Sequence, residues 1–268
     1  MTLTTLLLSE TNRKVTFRRR GKGEPLVLIH GVGMQSAAWA PQIAEFAKHY
    51  CVIALDMPGH GGSDPLPTES QLTDYVAWCR ATLEDLNIAP VNLVGHSMGA
   101  LIAGGVAVSY PHLVRRIALL NAVFRRDEAA KAAVKARAAE IRNGKVDLET
   151  PLARWFGDED AKARAQVAMW LSAIDVDGYA TAYGAFAQGD AIYARRFAEI
   201  ACPCLALTGE GDPNSTPAMA QAMADTVQDG VAITLPGHRH MVNLTAVADV
   251  NAQLRTWLKR PIHQKEMQ

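Results

Sequence analysis

Residues 95–99 read Gly-His-Ser-Met-Gly and join two apolar runs, Val91-Asn-Leu-Val94 before them and Ala100-Leu-Ile-Ala103 after. A serine inside a strand or a helix needs no glycine on either side. Glycines at minus two and plus two are needed where the chain reverses so sharply that side chains there would collide. The pattern therefore predicts a buried strand, a strained serine at the apex and a helix leaving at once. It also leaves the Ser97 hydroxyl exposed at the end of the strand, beside the free amides of a helix N-terminus. A strand feeding a helix in this way belongs to a parallel sheet, so the motif commits the chain to an α/β architecture.

The rest of the chain keeps that rhythm. Residues 26–31 (LVLIHG), 51–56 (CVIALD), 91–96 (VNLVGH), 116–121 (RIALLN), 204–209 (CLALTG) and 231–237 (VAITLPG) read as buried strands. Helical patterns fall at 69–87, 97–109, 216–227 and 243–259. Near-continuous apolar strands predict a mostly parallel sheet covered on both faces. Ahead of it, KVTFRRRGKGEP alternates and then turns on Gly21 and Gly23, which predicts an antiparallel edge hairpin. Between about Phe124 and Ile200 there is no strand signal, only Ala-rich amphipathic patterns carrying Trp155, Phe156, Trp170, Tyr179, Tyr183 and Phe186. This predicts a helical cap over 124–200, inserted into a core formed by 1–123 and 201–268.

Several function classes are disfavoured. Lys plus Arg (27) balances Asp plus Glu (27), so no broad field attracts nucleic acid or an anionic membrane. No run approaches the roughly 18 apolar residues of a membrane span, and MTLTTLLLSE has no basic region or cleavage site of a signal peptide. Cys51, Cys79, Cys202 and Cys204 are too few and scattered for a disulfide framework, and Cys202-Pro-Cys204 lacks C-x-x-C spacing. The expectation is a cytoplasmic protein acting on a small molecule, with neither nucleic acid nor membrane as partner; a homo-oligomer stays open.

A serine hydroxyl needs a base to become a nucleophile at neutral pH, and donors for the oxyanion that acyl transfer creates. Asp212, in TGEGDPNST, follows one predicted strand, and His238 and His240, in PGHRHM, follow the last. The backbone N–H groups of Val32 (in IHGVG) and Met98 are placed to serve as oxyanion donors. Asn121 ends an earlier strand where an acid is an alternative, but it cannot carry charge. Asp56, Asp64 and Asp190 read as turn or cap residues, and Asp225 and Asp229 as a solvated face. His96 precedes the serine and is expected to point away from it, in a supporting role.

Five blocks in order, His30-Gly-Val-Gly33, Asp56-Met-Pro-Gly-His-Gly-Gly-Ser63, Gly95-His-Ser-Met-Gly99, Gly209-Glu-Gly-Asp212 and Gly237-His-Arg-His240, make the sequence resemble an α/β-hydrolase fold enzyme over its whole length. The resemblance implies an eight-stranded, mostly parallel sheet with a helical cap. It also implies a Ser97–His240–Asp212 triad, with His240 chosen over His238 because the family places its base three residues after this glycine. Short cap motifs, ARWFGD and GYATAYGAFAQGDA, are similar to the 3-oxoadipate enol-lactonase group. The implied activity is hydrolysis of a carboxylic ester or (enol-)lactone of a small acidic metabolite, with no cofactor and no metal. Amide hydrolysis, carbon–carbon hydrolysis (weakened by Ala100 where a second glycine is usual), a cofactor-free oxygenase and a non-catalytic receptor stand as alternatives. For the substrate, Arg154 beside Trp155 offers a planar fork to a carboxylate, and His30 and His238 are further binding candidates. Arg125 and Arg126 read as surface charge.

Overall fold

The computed structural model describes residues 2–262. Eight strands form one sheet: β1 (Leu3–Leu7), β2 (Lys14–Arg20), β3 (Pro25–Ile29), β4 (Cys51–Leu55), β5 (Val91–His96), β6 (Val114–Leu120), β7 (Cys204–Gly209) and β8 (Gly230–Leu235), in the order β1-β2-β4-β3-β5-β6-β7-β8. From β4 to β8 every pairing is parallel, whereas β1–β2 and β2–β4 are antiparallel. Successive side chains of the central strands go to opposite faces, and both faces are dry. Val27 and Ile29 join one apolar cluster and Leu26 and Leu28 the other; Ile53 and Leu55 oppose Val52 and Ala54 in the same way. That two-sided burial is why these strands read as unbroken apolar runs.

The helices are α1 (Ala40–Phe46), α2 (Leu72–Asp85), α3 (Met98–Ser109), α4 (Glu128–Arg142), α5 (Glu149–Trp155), α6 (Ala161–Ser172), α7 (Val176–Gly189), α8 (Pro217–Thr226), α9 (Val242–Thr245) and α10 (Val247–Leu258). Helices α4 to α7 lie between β6 and β7, in the stretch without strand signal. Their seat on the sheet is partly a glycine contact. A Cβ on Gly59 (φ +73) would lie 2.6 Å from the Gly178 Cα, so α7 approaches the loop after β4 backbone to backbone.

Three expectations need correction. The segment 14–20 does not fold back on 25–29: β4 lies between them, and β2 pairs with β1, an exposed edge strand whose mixed pattern gave no signal. Strand β8 is only partly buried, as the last strand of the sheet among the described residues. The segment 243–259 divides at Ala246 (φ −115, ψ 44) into α9 and α10.

Candidate active site

The site is built where β5 stops. Ser97 takes φ 53 and ψ −117, a conformation an L-residue adopts only under constraint, at a cost of about 1–3 kcal/mol. The constraint is visible in its flanks. A Cβ on Gly95 would lie 2.1 Å from the Gly99 carbonyl oxygen, and one on Gly99 would lie 2.3 Å from that of Ile29. No other residue allows α3 to start this close to β3 and β5. The Ser97 N–H donates to the Leu120 carbonyl at 2.8 Å, which ties the apex to the next strand.

Strands β7 and β8 supply the partners from the loops at their ends. His240 donates from Nδ1 to Asp212 Oδ2 at 2.7 Å, and both side chains are buried. Asp212 is held from three more sides: Asn121 Nδ2 reaches Oδ2 at 2.8 Å, and the Asn214 and Ser215 amides reach Oδ1 at 2.8 and 3.2 Å. Burial by itself raises the Asp212 pKa. The His240 ring and the donors from Asn121 and Asn214 outweigh it and hold the carboxyl below its usual value. With Nδ1 committed to the carboxylate, Nε2 of His240 is the nitrogen free to take a proton.

His96 lines the same cavity and fixes the histidine loop, donating from Nε2 to the His240 carbonyl at 2.8 Å. Burial pushes its pKa down to about 3, so it is a neutral prop at working pH. The indole of Trp155 stacks on the His240 ring, with centroids 5.7 Å apart and planes 26° apart. Arg239 donates to the Ala153 and Phe156 carbonyls at 3.0 and 2.8 Å, clamping the end of α5 and its tryptophan onto the histidine loop.

Across from these, the loop after β3 is pinned through its neighbours. The Gly33 N–H donates to His60 Nε2 at 2.9 Å, and the Ser36 N–H to Asp56 Oδ1 at 2.6 Å. Among the described residues the Val32 and Met98 N–H groups have no acceptor, and Met98 opens α3, where helix amides are unpaired. A cavity of about 520 Å³ joins Val32, Ser97, Trp155 and His240 to the α4–α7 helices. Together these groups have the arrangement that acyl transfer requires: a serine at the cavity wall, a histidine held by a carboxylate, and two idle donors.

A profile described as "Alpha/beta hydrolase family" matches residues 26–253. The chain belongs to that family. It is 52% identical, over 95% of its length and 97% of the other protein's, to the (E)-2-((N-methylformamido)methylene)succinate hydrolase of Acinetobacter baylyi. The fold is shared with an esterase from Thermogutta terrifontis solved with malate bound (TM-score 0.87, 22% identity, covering 97% of this chain and 98% of that one). It is shared equally with the enol-lactonase from Burkholderia xenovorans (TM-score 0.86, 22% identity, 96% of this chain and 100% of that one).

Within this hydrolase the sequence-derived residues divide. Ser97, His240, Val32, Arg154 and Trp155 line the cavity, and Asp212 stands behind His240. His30 does not line it: it is buried, takes the Met57 N–H at Nε2 (3.0 Å) and donates from Nδ1 to the Gly31 carbonyl. His238 also stays outside, turned to Thr245 Oγ1 at 3.2 Å. Arg126, expected on the surface, is 6% exposed and lines the cavity, because it pairs with the equally buried Asp190. Sequence reasoning missed Asn121 as a partner of the acid, although its place at a strand end was the signal. It also missed His60, whose bond from the Gly33 N–H joins residues 27 positions apart. Among the described residues no group of three or more His, Cys, Asp or Glu is placed to hold a metal, and no helix is long and apolar enough to cross a membrane.

Proposed function

We propose that this protein hydrolyses an amide-type N-acyl bond in a small, succinate-like acid, through an acyl-enzyme on Ser97. The observation that carries the mechanism is the buried His240–Asp212 bond facing the cavity that holds the strained serine. The relative matched over nearly its full length carries the choice of bond. The substrate in its name is a succinate with an N-formyl group, which offers an amide carbonyl and two carboxylates. The ester or lactone expectation uses the same machinery, but its support is the likeness of fold alone.

His240 Nε2 takes the Ser97 proton as Oγ attacks the carbonyl carbon. The carbonyl oxygen becomes an oxyanion, which the Val32 and Met98 amides receive. Collapse of this intermediate breaks the C–N bond, and His240 passes its proton to the leaving nitrogen. Water, deprotonated by the same histidine, then attacks the acyl carbon, and Ser97 departs as the hydroxyl. Asp212 keeps His240 in the Nδ1–H tautomer and stabilises its cation. Arg154, exposed at the rim of the cavity and unpaired among the described residues, grips a substrate carboxylate.

The test compares kcat/KM for the N-formamido diacid, its dimethyl ester and 4-nitrophenyl acetate. The diacid should be preferred by at least roughly a hundredfold. Arg154→Ala should remove about 2–3 kcal/mol of that preference while sparing the neutral substrates. An enzyme silent on the diacid and active on neutral esters or lactones would overturn the reading.

A further inference from the structure

The α4–α7 side of the cavity contains three arginines, Arg126, Arg137 and Arg154. Tyr183 lies among them: burial raises its hydroxyl pKa, and Arg137, Arg126 and Arg154 each pull it back down. Their commitments differ. Arg137 is spent on the Asp147 carbonyl and on the carboxylates of Glu140 and Asp147. Arg154 is exposed. Arg126 is the unusual one. Its guanidinium lies over the Phe186 ring, 4.4 Å from the centroid, with a side chain only 5% exposed.

Its partner serves it at one corner. Asp190 Oδ1 accepts from Arg126 Nη1 at 3.0 Å, but Asp190 Oδ2 is taken by the Arg126 backbone N–H at 2.7 Å. The guanidinium therefore makes one bond to this carboxylate and not the two-bond fork usual for arginine. Nη1 has a second acceptor in the Phe186 carbonyl at 3.4 Å, whereas Nη2 is closed off and, among the described residues, has no acceptor. An unpaired donor on a buried cation is costly, and an apolar pair would close this wall as well. The arrangement makes sense where something else completes it.

We infer that Arg126 is a second anchor for the acid substrate: the guanidinium turns on the Phe186 face to bring the closed-off, unpartnered Nη2 to a carboxylate entering the cavity, while Arg154 holds the other carboxylate at the rim. The cavity would thus select diacids over monoacids. This deepens the N-acyl hydrolase reading and rests on it. Asp190 orients the guanidinium and keeps it charged, and the Phe186 face fixes its plane.

Titration calorimetry with succinate and with its half-amide, succinamate, tests the anchor. The wild-type protein should bind succinate at least tenfold more tightly than succinamate. Arg126→Lys keeps a cation for Asp190 but has no second nitrogen, and should lose most of that gap. If Arg126→Gln fails to fold beside an unpaired Asp190, the Arg126→Gln/Asp190→Asn double variant removes both charges together and should also lose it. Absence of succinate binding, equal binding of the two ligands, or a gap that survives in the folded variants overturns the anchor. Labelling of wild-type Ser97 by a fluorophosphonate reads the hydrolase assignment separately. Labelling without a succinate preference leaves that assignment and removes the anchor; preference without labelling does the reverse.

Discussion

Asn121 follows β6 and its amide donates to the carboxylate of Asp212, in the loop after the neighbouring β7. Asp212 has a depressed pKa in the folded protein, so its ionised form stabilises the fold above the ordinary value of 3.8. That contribution is lost as pH falls through the lower, folded value. Asn121→Ala removes one donor and should move the acid-unfolding midpoint, followed by circular dichroism, to higher pH; an unmoved midpoint contradicts the assignment. The candidate triad was legible because each member follows a strand and has a glycine or proline within three residues. Asn121 was legible only as a residue unable to be the acid, since its partner lies 91 positions away. Arg126 was misread for a related reason. A charged pair in a sequence reads as solvent-facing unless the opposite charge that buries it is known, and Asp190 is 64 positions distant.

At the scale of elements, the β5–Ser97–α3 unit was the most legible part, because its glycines are demanded by contacts local to the turn. Gly99→Ala places a methyl 2.3 Å from the Ile29 carbonyl and 2.6 Å from that of His30, both backbone atoms with no room to yield. Overpacking there should cost roughly 3 kcal/mol or more, measured as a fall in the urea midpoint, with loss of Ser97 reactivity. Retention of wild-type stability would show that the turn is looser than described. Helix α1 was not read, being seven residues long, although Pro41 at its start was a usable sign. The β2–β4 pairing was also beyond reach: alternation marks a strand but says nothing about which edge it joins.

For the molecule as a whole, the alternation of apolar strands and amphipathic helices was enough to place the chain among α/β proteins. Strand order was not readable, because it depends on which connections cross the sheet. The helices between β6 and β7 owe their position to long-range packing. Met34, Leu152, Phe156, Leu171 and Met241 form an apolar cluster that ties α5 and α6 to the loops carrying Val32 and His240. The molecule thus brings four strand-end loops and a helical roof to one cavity, and the central claim is that Ser97 becomes acylated there. Rapid quenching during turnover of 4-nitrophenyl acetate, with peptide mapping by mass spectrometry, tests this directly. The account predicts a burst of nitrophenolate equal to the enzyme present and an acetyl group on the peptide holding Ser97, both absent in His240→Ala. Acetylation at another residue, or turnover that continues in Ser97→Ala, would contradict it.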